Sequence, residues 1–238
     1  MKQEIRQQYN SNFSKEKYET FLDDIAVSYN HRPPFRIAET PVFLPKQLTE
    51  RLVAACEEIT EDICQPNFKE LTQGAIEQDV PNETDKTLFL QMDFGICRDA
   101  NGDLTPQLIE IQGFPSLYFF QDMIAKKYQE HFDIPDNYTY LFNDLNPDEY
   151  IDLLRKGILA GHEPQHVAIV EIEPHKQVTQ IDFIVAQREI GIAVLCVSDL
   201  IVEGRDVFYL NDAGEKIQLK RIFHRCSVWK LDVPACGC

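Results

Sequence analysis

Asp93 and Glu110 are the residues of this chain whose types and spacing best suit one shared chemical task. They lie in LFLQMDFGICRDANGDLTPQLIEIQGFPSLYFFQ, residues 88–121, where two apolar, β-forming runs flank Asp99-Ala100-Asn101-Gly102-Asp103. Asn-Gly between such runs is a hairpin signal. With Asn101 and Gly102 as the two turn residues, Asp93 falls opposite Glu110 and Gln91 opposite Gln112. Strand alternation then gathers Phe89, Gln91 and Asp93 with Leu108, Glu110 and Gln112 on one face, away from Leu90, Met92, Phe94, Ile109 and Ile111. Two carboxylates placed opposite each other repel and call for a compensating charge. Carboxylate and amide oxygens without a neighbouring His or Cys favour Mg²⁺ or Mn²⁺ over zinc, and Mg²⁺ commonly takes one or two carboxylates plus substrate phosphates. The same residues also describe an ordinary hairpin face with both acids in water. Pro106, which cannot donate to a ladder, interrupts the second strand and leaves the register open.

Strand-Asp-Phe, a turn with Gly, then Ile109-Glu110-Ile111-Gln112 followed by Gly113-Phe114-Pro115-Ser116 resembles the metal-binding hairpin of ATP-grasp ligases. It is most similar to the circularly permuted branch that includes glutathionylspermidine synthase. There the stretch reads roughly Gly-Arg-Met-Asp-Phe, then Leu-Leu-Glu-Tyr-Asn and a Thr-Pro-Thr-Ser turn. The resemblance implies Asp93, Glu110 and Gln112 as Mg²⁺ ligands facing ATP, and Ser116 in a substrate-binding turn. Two positions depart from that pattern. Gln91 occupies the catalytic position at which the family carries an Arg that supports the reacting acyl phosphate, and Gln112 replaces an Asn. Glutamine keeps a carbonyl oxygen for a metal, whereas loss of the Arg charge removes a stabiliser of the transition state. The resemblance therefore does not extend to glutathionylspermidine synthesis itself.

Several elements must hold this stretch in place. Tyr18, Phe21, Leu22, Ile25 and Ala26 recur at helical spacing from Lys15 to Ser28, and His31-Arg32-Pro33-Pro34 stops that helix. Phe35 to Leu44 reads as a short extended segment. Leu48 to Cys64 is an amphipathic helix with Leu48, Leu52, Ala55, Cys56, Ile59 and Ile63 on one face and a solvated acidic face opposite. Residues 66–86 read as a short helix and a loop into the hairpin. Beyond the hairpin, Ser116 is placed to cap a helix through Leu117, Phe120, Met123, Ile124 and Tyr128, which would seat an anion on its first N–H groups. Tyr118, Phe119 and Phe120 are read as core. Asn146-Pro147-Asp148-Glu149 opens a helix that ends near Gly161. From Val167 the pattern becomes β-α-β, with strands Val167 to Ile172 and Ile192 to Val197 around a helix Thr179 to Ile190. No Gly-rich loop follows its first strand, which argues against dinucleotide binding. Phe208 to Leu210 and Lys216 to Phe223 read as a second hairpin. The fold expected is mixed α/β (α+β) and partly ATP-grasp-like. Residues 1–160 hold helices and the metal-type hairpin, 161–225 a small α/β unit, and 226–238 an atypical tail.

The chain has 238 residues, 44% of them hydrophobic and 11% aromatic, a globular composition. Its net charge of −16 argues against nucleic acid or an anionic membrane as partner, since both need a basic surface. Metal ions or amines suit that charge better. The polar opening MKQEIRQQYN and the lack of a run of roughly 18 apolar residues predict a cytoplasmic protein with neither signal peptide nor membrane span. Seven scattered cysteines fit reduced thiols. The six histidines show no nucleophile–base spacing.

The ATP-grasp resemblance leads one to expect a nucleotide-gripping half after Arg225, but only CSVWKLDVPACGC follows, with the sole Trp and three of the cysteines. His224, Cys226, Cys236 and Cys238 could ligate zinc yet lack a second ordered pair at finger spacing. The expected function is therefore an ATP-dependent carboxylate–amine ligase working through an acyl phosphate, incomplete or inactive as this chain, with a small-molecule carboxylate or amine as substrate. A non-catalytic small-ligand module that kept the fold, or an oligomerising scaffold whose exposed apolar surface a partner covers, is the alternative.

Overall fold

Capping side chains mark where two of the helices begin. Helix α1 (Gln3–Asn12) precedes α2 (Lys15–Tyr29), which starts where the Ser14 hydroxyl accepts a hydrogen bond from the Lys17 N–H at 3.1 Å. Next come α3 (Lys46–Ile63), the short α4 (Phe68–Thr72), and the strands β1 (Gln91–Arg98) and β2 (Leu104–Gln112). Beyond them lie α5 (Tyr118–His131) and α6 (Pro147–Leu159). At the start of α6, Asn146 and Glu149 form a reciprocal capping box with Pro147 in the first turn. The chain continues through β3 (Val167–Glu171), α7 (Gln180–Ile190), β4 (Ala193–Cys196), β5 (Ile201–Glu203), β6 (Asp206–Leu210), β7 (Lys216–Leu219) and β8 (Arg221–His224). This computed structural model describes residues 3–75, 87–113 and 116–224, and the architecture is mixed α/β. Among the described residues, no helix is long and apolar enough to cross a membrane.

Two compact units form. The first joins Met1–Gln7 to Val42–Pro115, and the second joins Gln8–Pro41 to Ser116–Cys238. The change of pattern at 160/161 falls inside the second unit. The tail 226–238 lies outside the described residues, as do three of the four zinc candidates, Cys226, Cys236 and Cys238.

The second unit is built on a parallel sheet of order β4-β3-β8, with β3 central. Every residue of β3 is buried, as a strand covered on both faces must be. Ala168 and Val170 pack with Tyr209 and Leu219 of the antiparallel meander β5-β6-β7. Alternation leaves Val167, Ile169 and Glu171 for the face carrying α7. The β-α-β reading is met, and the expected second hairpin is present as β6–β7, but it is shorter than expected. Its second strand is cut at Lys220, whose N–H donates to the His166 carbonyl. β7 stays with the meander, and β8 crosses to pair in parallel with β3.

Helices α2 and α5 add an aromatic cluster to this unit. Phe21 lies 4.9 Å from Tyr128 and 5.5 Å from Phe132, centroid to centroid, and Tyr9 lies 5.2 Å from Phe132. Burial of the Tyr128 hydroxyl pushes its pKa up to about 12. The segment 35–44, expected to be extended, forms no strand. Instead the hydroxyls of Tyr9, Tyr18 and Tyr128 donate to the carbonyls of Glu39, Ile37 and Ala38, which satisfies an irregular backbone without a ladder.

In the first unit α3 packs against β2, and Arg51 donates to the Leu104 carbonyl and, at 3.2 Å, to Thr105 Oγ1. The hairpin itself buries no residue fully.

Candidate functional site: the carboxylate rung of the hairpin

Asp93 pairs with Glu110 and Gln91 with Gln112, as the alternation of the sequence predicts. The route to that register differs from the one expected. Asp99 pairs with Asp103 through its N–H at 2.9 Å, so the turn holds three residues, Ala100, Asn101 and Gly102, with Gly102 at φ +86. The Asp99 carboxylate braces this turn by accepting from the N–H groups of Asn101 and Asp103. A three-residue turn shifts the pairing by one, so that Phe94 faces Leu108. A bulge between the Asp93 and Phe94 rungs shifts it back. Leu108 consequently joins the Phe94 face instead of the Glu110 face. The extra residue, Ile109, is 69% exposed. Pro106 sits in β2 opposite Ile96 without breaking it.

The four polar side chains share a face. Gln91 Nε2 donates to Asp93 Oδ1 at 3.2 Å, and Gln112 Nε2 donates to Glu110 Oε1. Gln91, Asp93 and Gln112 are half-buried and Glu110 is exposed. Among the described residues no Lys or Arg pairs with either carboxylate. Arg98 and Arg51, the nearest guanidinium groups in sequence to β1 and β2, are spent on the carbonyls of Gly102 and Leu104. One more atom is left over. Gln91 Oε1 is closed off from solvent and has no hydrogen-bond donor among the described residues. Leaving a buried carbonyl without a donor costs about 1–3 kcal/mol.

These features test whether a magnesium-type ion fits. The donor set is hard oxygen throughout, two opposed carboxylates lack a cationic neighbour, and a buried carbonyl oxygen lacks a partner. The residues fit. Each amide can serve either state: rotation about its last side-chain torsion exchanges an N–H that supports a bare carboxylate for an oxygen that faces a cation.

Ser116 belongs to the second unit, and it does not cap α5. Leu117 holds the N-cap position at φ 61, and the first-turn N–H groups of Phe119 and Phe120 donate to Asp182 Oδ1 at 3.0 and 2.9 Å. The anion seat expected there is already filled by a buried carboxylate of α7. Of the three aromatic residues expected in the core, Phe119 and Phe120 are buried and Tyr118 is half-buried.

Two features had no signal in the sequence. Asp24, Glu130 and His131 bring three ligand-type groups within 4.8 Å, but Lys127 Nζ sits 2.8 Å from Asp24 and 2.7 Å from Glu130. That cluster already holds a cation of its own. An open cavity of about 270 Å³ is lined by Pro174, His175, Phe183, Gln187, Cys196 and Asp199 among others. It lies where β3 and β4 end, the side of a parallel sheet on which ligands bind. In the first, Asp24 of α2 meets residues of α5 more than a hundred positions away, and the second is formed within the β-α-β unit by residues 174–199.

No protein-family model matches the chain, and no curated protein matches it.

Proposed function

We propose that the hairpin is the metal-binding element of an ATP-grasp-like carboxylate–amine ligase. In such a reaction a substrate carboxylate takes the γ-phosphoryl group of ATP, ADP leaves, and an amine displaces phosphate from the acyl phosphate. A magnesium ion held by Asp93, Glu110 and Gln112 would neutralise negative charge as it develops on the transferring phosphoryl group. Asp93 and Glu110 supply the opposed carboxylates, Gln112 adds an amide oxygen, and Gln91 takes the place of the family's Arg. The observation that carries this reading is the uncompensated Asp93–Glu110 rung, flanked by Gln91 and Gln112. Elsewhere in the chain, buried or half-buried acids such as Asp122 and Asp24 are paired with Lys126 and Lys127.

A second reading, a small-ligand binding module without turnover, draws on the cavity at the ends of β3 and β4. Calorimetric titration of the chain with ATP in Mg²⁺ separates the two. The ligase reading expects weak heat of binding in the wild type and none in Asp93→Asn/Glu110→Gln. No heat in a folded wild type overturns it and leaves the binding module.

A further inference from the structure

We propose that Gln91 is itself a cation ligand, so that the hairpin holds a divalent ion before any nucleotide arrives. This rests on the metal reading above and goes beyond it, because the ATP-grasp resemblance assigns this position to a phosphate-supporting Arg and not to a ligand. Gln91 stands two rungs from the Asp93–Glu110 pair, next to it on the same face and across from Gln112, and its amide already lies against Asp93 Oδ1 at 3.2 Å. Its other end, Oε1, is the buried oxygen without a donor among the described residues. A cation seated on Asp93 repels the Nε2 hydrogens and attracts Oε1. Rotation of the amide then places the unpartnered oxygen on the ion without moving the backbone. Gln112, on Glu110, makes the same exchange across the ladder.

Two rungs thus offer four oxygens: two from carboxylates, whose combined charge a divalent ion cancels, and two from amides. An Arg at position 91 would place a positive charge beside that ion, which would then depend on nucleotide phosphates. A neutral amide removes the repulsion and adds a donor. Mg²⁺ with one or two protein carboxylates relies on substrate phosphates and water for the rest of its shell. A protein set of four oxygens lessens that reliance, and carboxylate, carbonyl and water ligands suit Mn²⁺ as well as Mg²⁺.

The test is titration of the 238-residue chain with Mn²⁺ alone, with free Mn²⁺ read by electron paramagnetic resonance and folding checked by circular dichroism. The wild type is expected to bind one ion without nucleotide. Gln91→Met, of similar size but without the oxygen, should weaken binding at least about tenfold, the loss that even outer-shell partners of a metal can cause. Gln91→Glu, which keeps an oxygen and adds charge, should bind at least as tightly as the wild type, and it carries the test if Gln91→Met does not fold. Asp93→Asn/Glu110→Gln should not bind. If Gln91→Met binds as the wild type does, Gln91 is no ligand and the hairpin site survives without it. If Mn²⁺ binds only once ATP is added, the present inference falls and the ligase reading stands. If Mn²⁺ binds in neither condition, both fall.

Discussion

Asp24 shows what a compensated carboxylate looks like in this chain, and Asp93 what an uncompensated one looks like. Asp24 Oδ2 lies 2.8 Å from Lys127 Nζ and 2.7 Å from His131 Nε2, while Oδ1 accepts from Ser28. These contacts, Lys127 first, hold its pKa at about 2, against 3.8 for an ordinary aspartate. A carboxylate whose folded pKa is depressed stabilises the fold above its unfolded value and loses that contribution as pH falls through the folded one. The window here runs from about pH 4 down to about pH 2. Asp24→Asn should melt below the wild type at pH 6, and the gap should close across that window. A gap in melting temperature that stays constant from pH 6 to pH 2 would show that charge at Asp24 does not tie α2 to α5. Only one of these two sites was legible beforehand. The Asp93–Glu110 pair is separated by a turn, and alternation places both acids on one face. Asp24 and His131 are 107 positions apart, and nothing in their local spacing brings them together.

Helix α5 shows how tertiary contacts replace a local signal. Ser116 is a good capping residue by type, yet the helix begins one turn position later, with Leu117 left-handed at φ 61. That conformation costs a side-chain-bearing residue about 1–2 kcal/mol. Asp182 offsets it by accepting from two first-turn N–H groups within the core. Hydrogen bonds to a charged acceptor are worth about 1.5–3 kcal/mol each, so Asp182→Ala should cost on the order of 3 kcal/mol or more. For a chain of this size that corresponds to a fall in melting temperature of roughly 6–12 °C. Asp182→Asn, which keeps an acceptor oxygen, should lose less than half as much. Equal losses in the two variants would mean that packing, and not capping, is what Asp182 supplies. The register of the Asp93 and Gln91 rungs matches the sequence expectation for a partly mistaken reason. The Asn-Gly signal marks the turn but not its length, and the three-residue turn and the bulge cancel between the tip and Asp93. The break at Lys220 was hidden for a similar reason. Lys216 to Phe223 is a continuous β-forming run, and only the free edge of β3 decides that its second half pairs elsewhere.

At the scale of the whole molecule, stability is distributed unevenly between the two units. Among the described residues the buried apolar side chains of the first unit are Phe43 and Leu48, while the second holds the parallel sheet, the aromatic cluster and the inner face of α7. A two-stranded hairpin is marginal by itself in water, and β1–β2 has no fully buried residue to anchor it. Its repelling carboxylates, in a chain of net charge −16, weaken it further. Native-state hydrogen exchange should therefore show ladder amides of β1 and β2 opening well before those of β3, where Val167 to Val170 are at most 3% exposed. A cation bound only by the closed hairpin stabilises it by mass action. At about ten times its dissociation constant it should slow exchange in β1 and β2 by about tenfold, as long as these amides exchange through hairpin opening. Protection in β3, β4 and β8 should not change, because local opening of the hairpin does not expose them. Asp93→Asn/Glu110→Gln should abolish the response and, having lost the repulsion, exchange more slowly than the wild type without metal. Hairpin amides protected like those of β3 before any cation is added would show that the two units open together. Slowing spread evenly over both sheets would place the ion elsewhere than on the hairpin.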